Sequence, residues 1–403
     1  MKSLRTGDQN LIKQINKSIV LNVIKNKGPV SRAQISKETG LNKATVSTMV
    51  AELINESFVN EIGAGQSSGG RKPVMLYFNN HAGYSIGIDL GVNYILGVLT
   101  DLSGNIIRET NIRLNETDLE FVRDKIISII DNLIQSAPES PYGIVGIGIG
   151  VPGHVNLEHQ ILFAPNLKWR NVYLKQMIEE KFHIPVQIEN EANAGAHGEH
   201  LYGAGKMTPN LIYVSIGIGI GTGIIINNQL YTGATGIAGE MGHLTIEANG
   251  RKCSCGNRGC WEMYASENAL LKAARQNLEE DDVCDLDVLE SEAKKGNLKV
   301  LNLLNHLGEY IGIGLTNVIN TFNPQAVIIG NRIARFENWI INPIERILKD
   351  RLSCYHKTNT EIRFSALGKH SIALGASSFA ISHFFKEKKV KTLVTSQPTG
   401  LEE

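Results

Sequence analysis

Ser85-Ile86-Gly87-Ile88-Asp89-Leu90-Gly91, followed closely by Ile95-Leu96-Gly97-Val98-Leu99, is the stretch on which the fold turns. Short runs of Ile, Leu and Val broken by glycine, with the turn Asp101-Leu102-Ser103-Gly104-Asn105 behind them, read as strands joined by hairpins. A helical stretch, Leu119 to Gln135, then leads to a strand over residues 144–149. A second helix over residues 172–181 leads to the strand Val186-Gln187-Ile188. From Leu211-Ile212-Tyr213-Val214-Ser215 the same plan begins again, with a strand through Ile224-Ile225-Ile226 and helices after it. A strand–hairpin–helix–strand unit occurring twice predicts two related α/β lobes with a cleft between them. The division falls at residues 81–190 and 191–385, with a last helix that can return to the first lobe.

Upstream the texture differs. Residues 1–80 hold 11 Lys and Arg against five acids, a net charge of +6, so the other 323 residues carry −6 within a neutral chain. Such an asymmetry points to a module for a polyanion joined to an acidic body. Ile12, Ile15, Ile19, Val20, Val23 and Ile24 recur at helical spacing up to Gly28-Pro29. Ser31 can cap a second helix, from Arg32 to Thr39, with Ala33 and Ile35 turned inward. Gly40 supplies a turn, and Asn42 caps a third helix whose inner face is Val46, Met49, Val50 and Leu53. The polar side of this helix, with Lys43, Ala44, Thr45, Ser47 and Thr48, suits base edges and phosphates. Together with Ser31, Arg32 and Asn42 these residues are the candidate DNA contacts of a helix-turn-helix. A glycine-rich loop, Arg71 and Lys72 at its end, and the alternating run Val74 to Phe78 read as a wing whose cationic tip can reach the backbone or minor groove.

The 403 residues have 42% hydrophobic and 20% charged side chains, which excludes bulk disorder. The first residues show no apolar signal core and no run reaches membrane-spanning length, so a cytoplasmic protein is expected. Residues 386–403 read as a disordered tail.

His243 and Cys253-Ser254-Cys255-Gly256-Asn257-Arg258-Gly259-Cys260 form H-x9-C-x-C-x4-C. Three thiolates and one imidazole can close a tetrahedron about Zn²⁺ with no vacancy for water, which makes the site structural. Cys284 and Cys354 read as ordinary core residues. Glu240 and Glu262 flank the cluster, so a zinc knot would hold two carboxylates and an imidazole in the arrangement that vicinal sugar hydroxyls require.

Several segments together resemble the ROK family of repressors and sugar kinases: Asp89-Leu90-Gly91, residues 146–153, Pro165-Asn166-Leu167, Glu189-Asn190-Glu191-Ala192-Asn193, Ala238-Gly239-Glu240-Met241-Gly242-His243 and the cysteine segment through Glu262. The resemblance implies an α/β, actin/hexokinase-like two-lobed ROK body behind an N-terminal winged helix-turn-helix domain, a sugar site in the cleft, and a homodimer or dimer of dimers. Carried onto this chain, it makes Asn166, Asn190, Glu191, Glu240, His243 and Glu262 the sugar-binding set, and His243, Cys253, Cys255 and Cys260 the zinc ligands.

The chain departs from the kinase pattern at three places. The first phosphate loop reads Asp89-Leu90-Gly91-Val92-Asn93 rather than Asp-x-Gly-Gly-Thr. The second reads Gly217-Ile218-Gly219 rather than Gly-Thr-Gly, and Glu191 stands where the kinases have their catalytic aspartate. The expectation is a repressor that binds a palindromic operator and responds to a small sugar, xylose by resemblance. The alternative is an active ATP-dependent sugar kinase carrying a regulatory DNA-binding domain.

Overall fold

The computed structural model describes residues 9–64, 73–278, 285–357 and 359–394. Two five-stranded sheets dominate it, and both follow one plan. In the first, strands Tyr84–Leu90, Tyr94–Asp101 and Ile106–Arg113 form an antiparallel meander. Strands Ile144–Val151 and Val186–Asn190 add in parallel on the other side of the leading strand. In the second, Leu211–Ile216, Ile220–Ile226 and Gln229–Leu230 make the meander, with Ala326–Gly330 and Glu361–Phe364 added in parallel. The repeated unit in the sequence is this repeated topology. Each lobe has its own core, one around Ile86, Ile88, Ile126 and Ile149, the other around Val214, Trp261, Ile311 and Ile329.

Two helices link the lobes. Glu191–Tyr202 leads out of the first sheet, and the C-terminal helix Ser371–Val394 returns to pack on strands of the first sheet and on Glu191–Tyr202. Residues 386–394, read from sequence as the start of a disordered tail, continue this helix; residues 395–403 lie outside the described residues. Apolar positions Phe379, Ile381, Phe384 and Phe385 precede the charged run that suggested a boundary, and the helix continues through that run to Val394.

The N-terminal module has helices Gln9–Lys27, Arg32–Thr39 and Lys43–Asn55 and a wing of Val59–Ala64 paired antiparallel with Val74–Phe78. Gly40 sits at φ +71°, the left-handed conformation the turn needs. Inward-facing assignments hold for Val20, Ile24, Ile35, Val46 and Leu53 but not for all. Ile12, Ile15 and Ile19 are 52%, 50% and 39% exposed, while Lys13 and Lys17 on the same half of the helix pair with Glu52 and Glu56 at the end of the third helix. Ala33 is also exposed, and Ile35 is the buried residue of its helix. The module's core is shared with the body through Ala82, Leu102, Val145 and Ile381.

Candidate functional site

The metal cluster assembles as its spacing suggests. One ligand atom each from His243, Cys253, Cys255 and Cys260 lie within 4.8 Å of one another. Cys253 Sγ is 3.7 Å from His243 Nδ1, and Cys255 Sγ is 3.7 Å from Cys260 Sγ. A tetrahedron with metal–sulfur bonds of about 2.3 Å has edges of about 3.8 Å, so the donors fit a metal such as Zn²⁺. Gly256 at φ +96° and Gly259 at φ +73° let the chain turn twice within the knot. At Gly259 a Cβ would lie 1.7 Å from the Glu247 carbonyl oxygen, so no larger residue fits. Of the other cysteines, Cys354 is exposed rather than in the core, on the short helix Cys354–Lys357, and Cys284 lies outside the described residues.

The knot fixes three of the candidate sugar-binding groups. His243 turns Nδ1 toward the thiols, where Glu262 Oε1 also lies at 3.5 Å, and its Nε2 faces Glu240 Oε2 at 3.9 Å. His154, which the sequence did not single out, places Nε2 3.2 Å from Glu240 Oε1. The Glu240 carboxylate raises the His154 pKa, an effect that burial partly opposes.

Asn166 and Glu191 line a narrow cavity of about 40 Å³, with Gly219, Pro152 and Tyr94 among the other walls. Gly219 links the two halves of the set, because a Cβ there would lie 2.9 Å from Glu262 Oε2. Asn190 stands apart in role: its Oδ1 accepts from Ala192 N and Asn193 N as the cap of helix Glu191–Tyr202, and its Nδ2 donates to the Gly153 carbonyl. Its side chain therefore positions Glu191 at the start of that helix.

Glu191 and Asp89 form a second electrostatic feature that spacing did not reveal. Burial pushes Glu191 up to about 7. Burial, then the neighbouring Glu191, pushes Asp89 up to about 8, against the pull of a hydrogen bond from Tyr94 Oη to Asp89 Oδ2 at 2.8 Å. The Tyr94 ring lies flat against the first loop, so that a Cβ at Gly91 would be 2.2 Å from its Cε1. Beyond Tyr94 the cleft opens into a cavity of about 860 Å³ that Asn331, Arg332, Arg335 and Lys369 help to line. Arg332 is paired there with the buried Glu267 at 2.9 Å.

On the N-terminal module Lys43, Ala44, Ser47 and Thr48 are exposed on one side of helix Lys43–Asn55, with Thr45 half-buried, and Val46, Met49, Val50 and Leu53 on the other side. Asn42 caps this helix by accepting from Thr45 N at 2.8 Å. Ser31, expected both to cap helix Arg32–Thr39 and to contact DNA, does cap it through a capping box with Gln34 but is buried rather than on the exposed face. Arg32 is paired with Glu61 on the wing at 2.8 Å. Lys27 pairs with Glu38, Lys13 with Glu52, and Lys17 with Glu56. The module's described acids are thus neutralised internally, away from the exposed face that bears Lys43. Arg71 and Lys72 lie outside the described residues.

With this geometry in view, the comparisons with known proteins agree. Residues 85–383 match the model of the ROK family. The chain is 51% identical over 378 residues to a xylose repressor of Bacillus spizizenii, covering 94% of this chain and 98% of that one. Its fold is similar to that of a ROK family transcriptional regulator, a homologue of the E. coli MLC protein, with a TM-score of 0.80 and 27% identity over 96% of this chain and all of the other. It is also similar to a ROK family glucokinase from Streptomyces griseus in complex with glucose and AMPPNP, with a TM-score of 0.69 and 28% identity over 74% of this chain and 99% of that one. The chain belongs to the ROK family.

Proposed function

We propose that this protein is a sugar-responsive transcriptional repressor, with xylose as effector, acting in the cytoplasm as a homodimer or dimer of dimers on a palindromic operator. The observation that carries the reading is one chain holding both an exposed polar recognition face, Lys43 to Thr48, and a carbohydrate-type pocket whose phosphate loop is covered by Tyr94. The whole-length similarity to a xylose repressor supports the same effector.

In this reading Asn166, Glu191, Glu240, His243 and Glu262 hold the sugar, with Asn190 setting the direction of Glu191. His154 joins them as the partner of Glu240. Zn²⁺, held by His243, Cys253, Cys255 and Cys260, is structural: it fixes the loop and leaves His243 Nε2 free to face the ligand. Lys43, Ser47 and Thr48 enter the major groove, Asn42 and Thr45 stand at the entry of the helix, and Arg71 and Lys72 reach the adjacent backbone or minor groove. Sugar favours one arrangement of the lobes, and it weakens operator binding only as far as it prefers that arrangement.

The protein is not an enzyme in this account. A phosphate needs close approach to loop backbone, and the Tyr94 ring occupies that side of Gly91. Glu191 carries its carboxylate one methylene further than an aspartate, and a displacement of about 1 Å can cost about 10²-fold in rate. A coupled assay of ADP release across common sugars tests this: no turnover above background is expected, and sustained turnover with any sugar would establish the kinase alternative.

A further inference from the structure

Glu199 is a fully buried carboxylate on helix Glu191–Tyr202, away from the proposed sugar set. Its Oε1 accepts from Ser371 Oγ at 2.7 Å, from Leu367 N at 3.2 Å and from Ser365 Oγ. Its Oε2 accepts from Ala204 N at 2.8 Å and from Ala366 N at 3.3 Å. These donors belong to both passages of the chain between the lobes. Ala204 lies on the way from the first lobe to strand Leu211–Ile216, and residues 365–371 lead from strand Glu361–Phe364 back to the C-terminal helix. Five donors converging on one anionic group satisfy its buried oxygens and hold the two passages at a fixed separation.

The two linking helices are in backbone contact. A Cβ at Gly198 would lie 2.2 Å from the Ser371 carbonyl oxygen, and one at Gly375 would lie 1.7 Å from that of Ala194. One helix begins at Glu191 in the cleft. The other passes through the core of the N-terminal module, where Phe385 meets Phe58 at 5.4 Å and Phe384 meets Tyr142 at 5.3 Å between ring centroids. Phe58 N and Tyr142 Oη in turn donate to the carbonyls of Leu53 and Glu56, at the end of the recognition helix.

We propose that Glu199 is the positioning residue of the sugar response: it clamps the two lobe crossings together, so that closure of the cleft moves the C-terminal helix and, through Phe384 and Phe385, the recognition helix. The proposal rests on the repressor reading. Replacing Glu199 by Gln puts an NH₂ group against donors and opens the clamp, while leaving the pocket and the DNA face untouched.

The test compares wild type, Glu199→Gln and the milder Ser371→Ala, each well below its melting midpoint. Xylose affinity is measured by calorimetry, and affinity for an operator duplex by fluorescence anisotropy with and without saturating xylose. Wild type should show a xylose effect of about 5–150-fold on operator affinity. In Glu199→Gln both separate affinities should persist while that factor falls toward 1, with a partial fall in Ser371→Ala. A full xylose effect in folded Glu199→Gln would overturn the proposal; if that variant does not fold, an undiminished effect in Ser371→Ala would overturn it. Wild type indifferent to xylose would remove the repressor reading, and the proposal with it.

Discussion

At Asp89, burial and a neighbouring carboxylate hold the carboxyl toward its protonated form, and that effect can be tested alone. Its carboxyl is raised from 3.8 to about 8 by burial and by Glu191 beside it. A raised carboxyl pKa gives stability that is fully present below the unfolded value and is lost as pH rises through the folded one. Asp89 should therefore contribute a loss of thermal stability as pH rises between about 4 and about 8. Asp89→Asn, which keeps an acceptor for the Tyr94 hydroxyl, should flatten that slope in melting curves; an unaltered slope would show that Asp89 ionises freely. At the cluster, Cys255→Ala should abolish stoichiometric zinc measured by elemental analysis and remove the sugar response while operator binding persists. Retained sugar response in the metal-free variant would count against a zinc-positioned His243. The cluster could be read from sequence because its ligands sit within 18 residues at chelating spacing. His154 and Tyr94 could not: each reaches its partner through a fold-dependent approach, and a lone histidine or tyrosine carries no period.

At the scale of the element, the recognition helix shows what periodicity conveys and what it omits. The buried positions Val46, Met49, Val50 and Leu53 follow from a 3.6-residue period, and the caps from Asn42 and Gly40. The same logic places Ser31 correctly as a cap, but its second assignment as a DNA contact does not agree with its burial, because one residue type serves both roles and only burial separates them. It also misses the length of the C-terminal helix, whose charged last turns resemble a tail in composition. Asn42→Ala should cost about 1 kcal/mol of stability in denaturant unfolding, the usual penalty for losing a cap. Lys43→Ala should weaken operator binding and lower the slope of log affinity against log salt by about 0.9, the value for one phosphate contact. Unchanged affinity and slope would take Lys43 off the backbone.

Across the whole molecule, two lobes of one topology and a basic module were legible because they are written in repeated strand runs and in charge segregation. Their connection was not, because it depends on glycines that bring two helices into backbone contact and on Phe384 and Phe385, more than 320 residues beyond the end of the recognition helix at Asn55. In the proposed function the cleft is the sensor and the N-terminal module its reader. The most direct measurement is the affinity of the purified protein for a labelled operator duplex, followed by anisotropy as xylose is added. Saturating xylose is expected to weaken binding by about 5–150-fold. Operator affinity that xylose leaves unchanged, in a protein shown by calorimetry to bind it, would contradict the account.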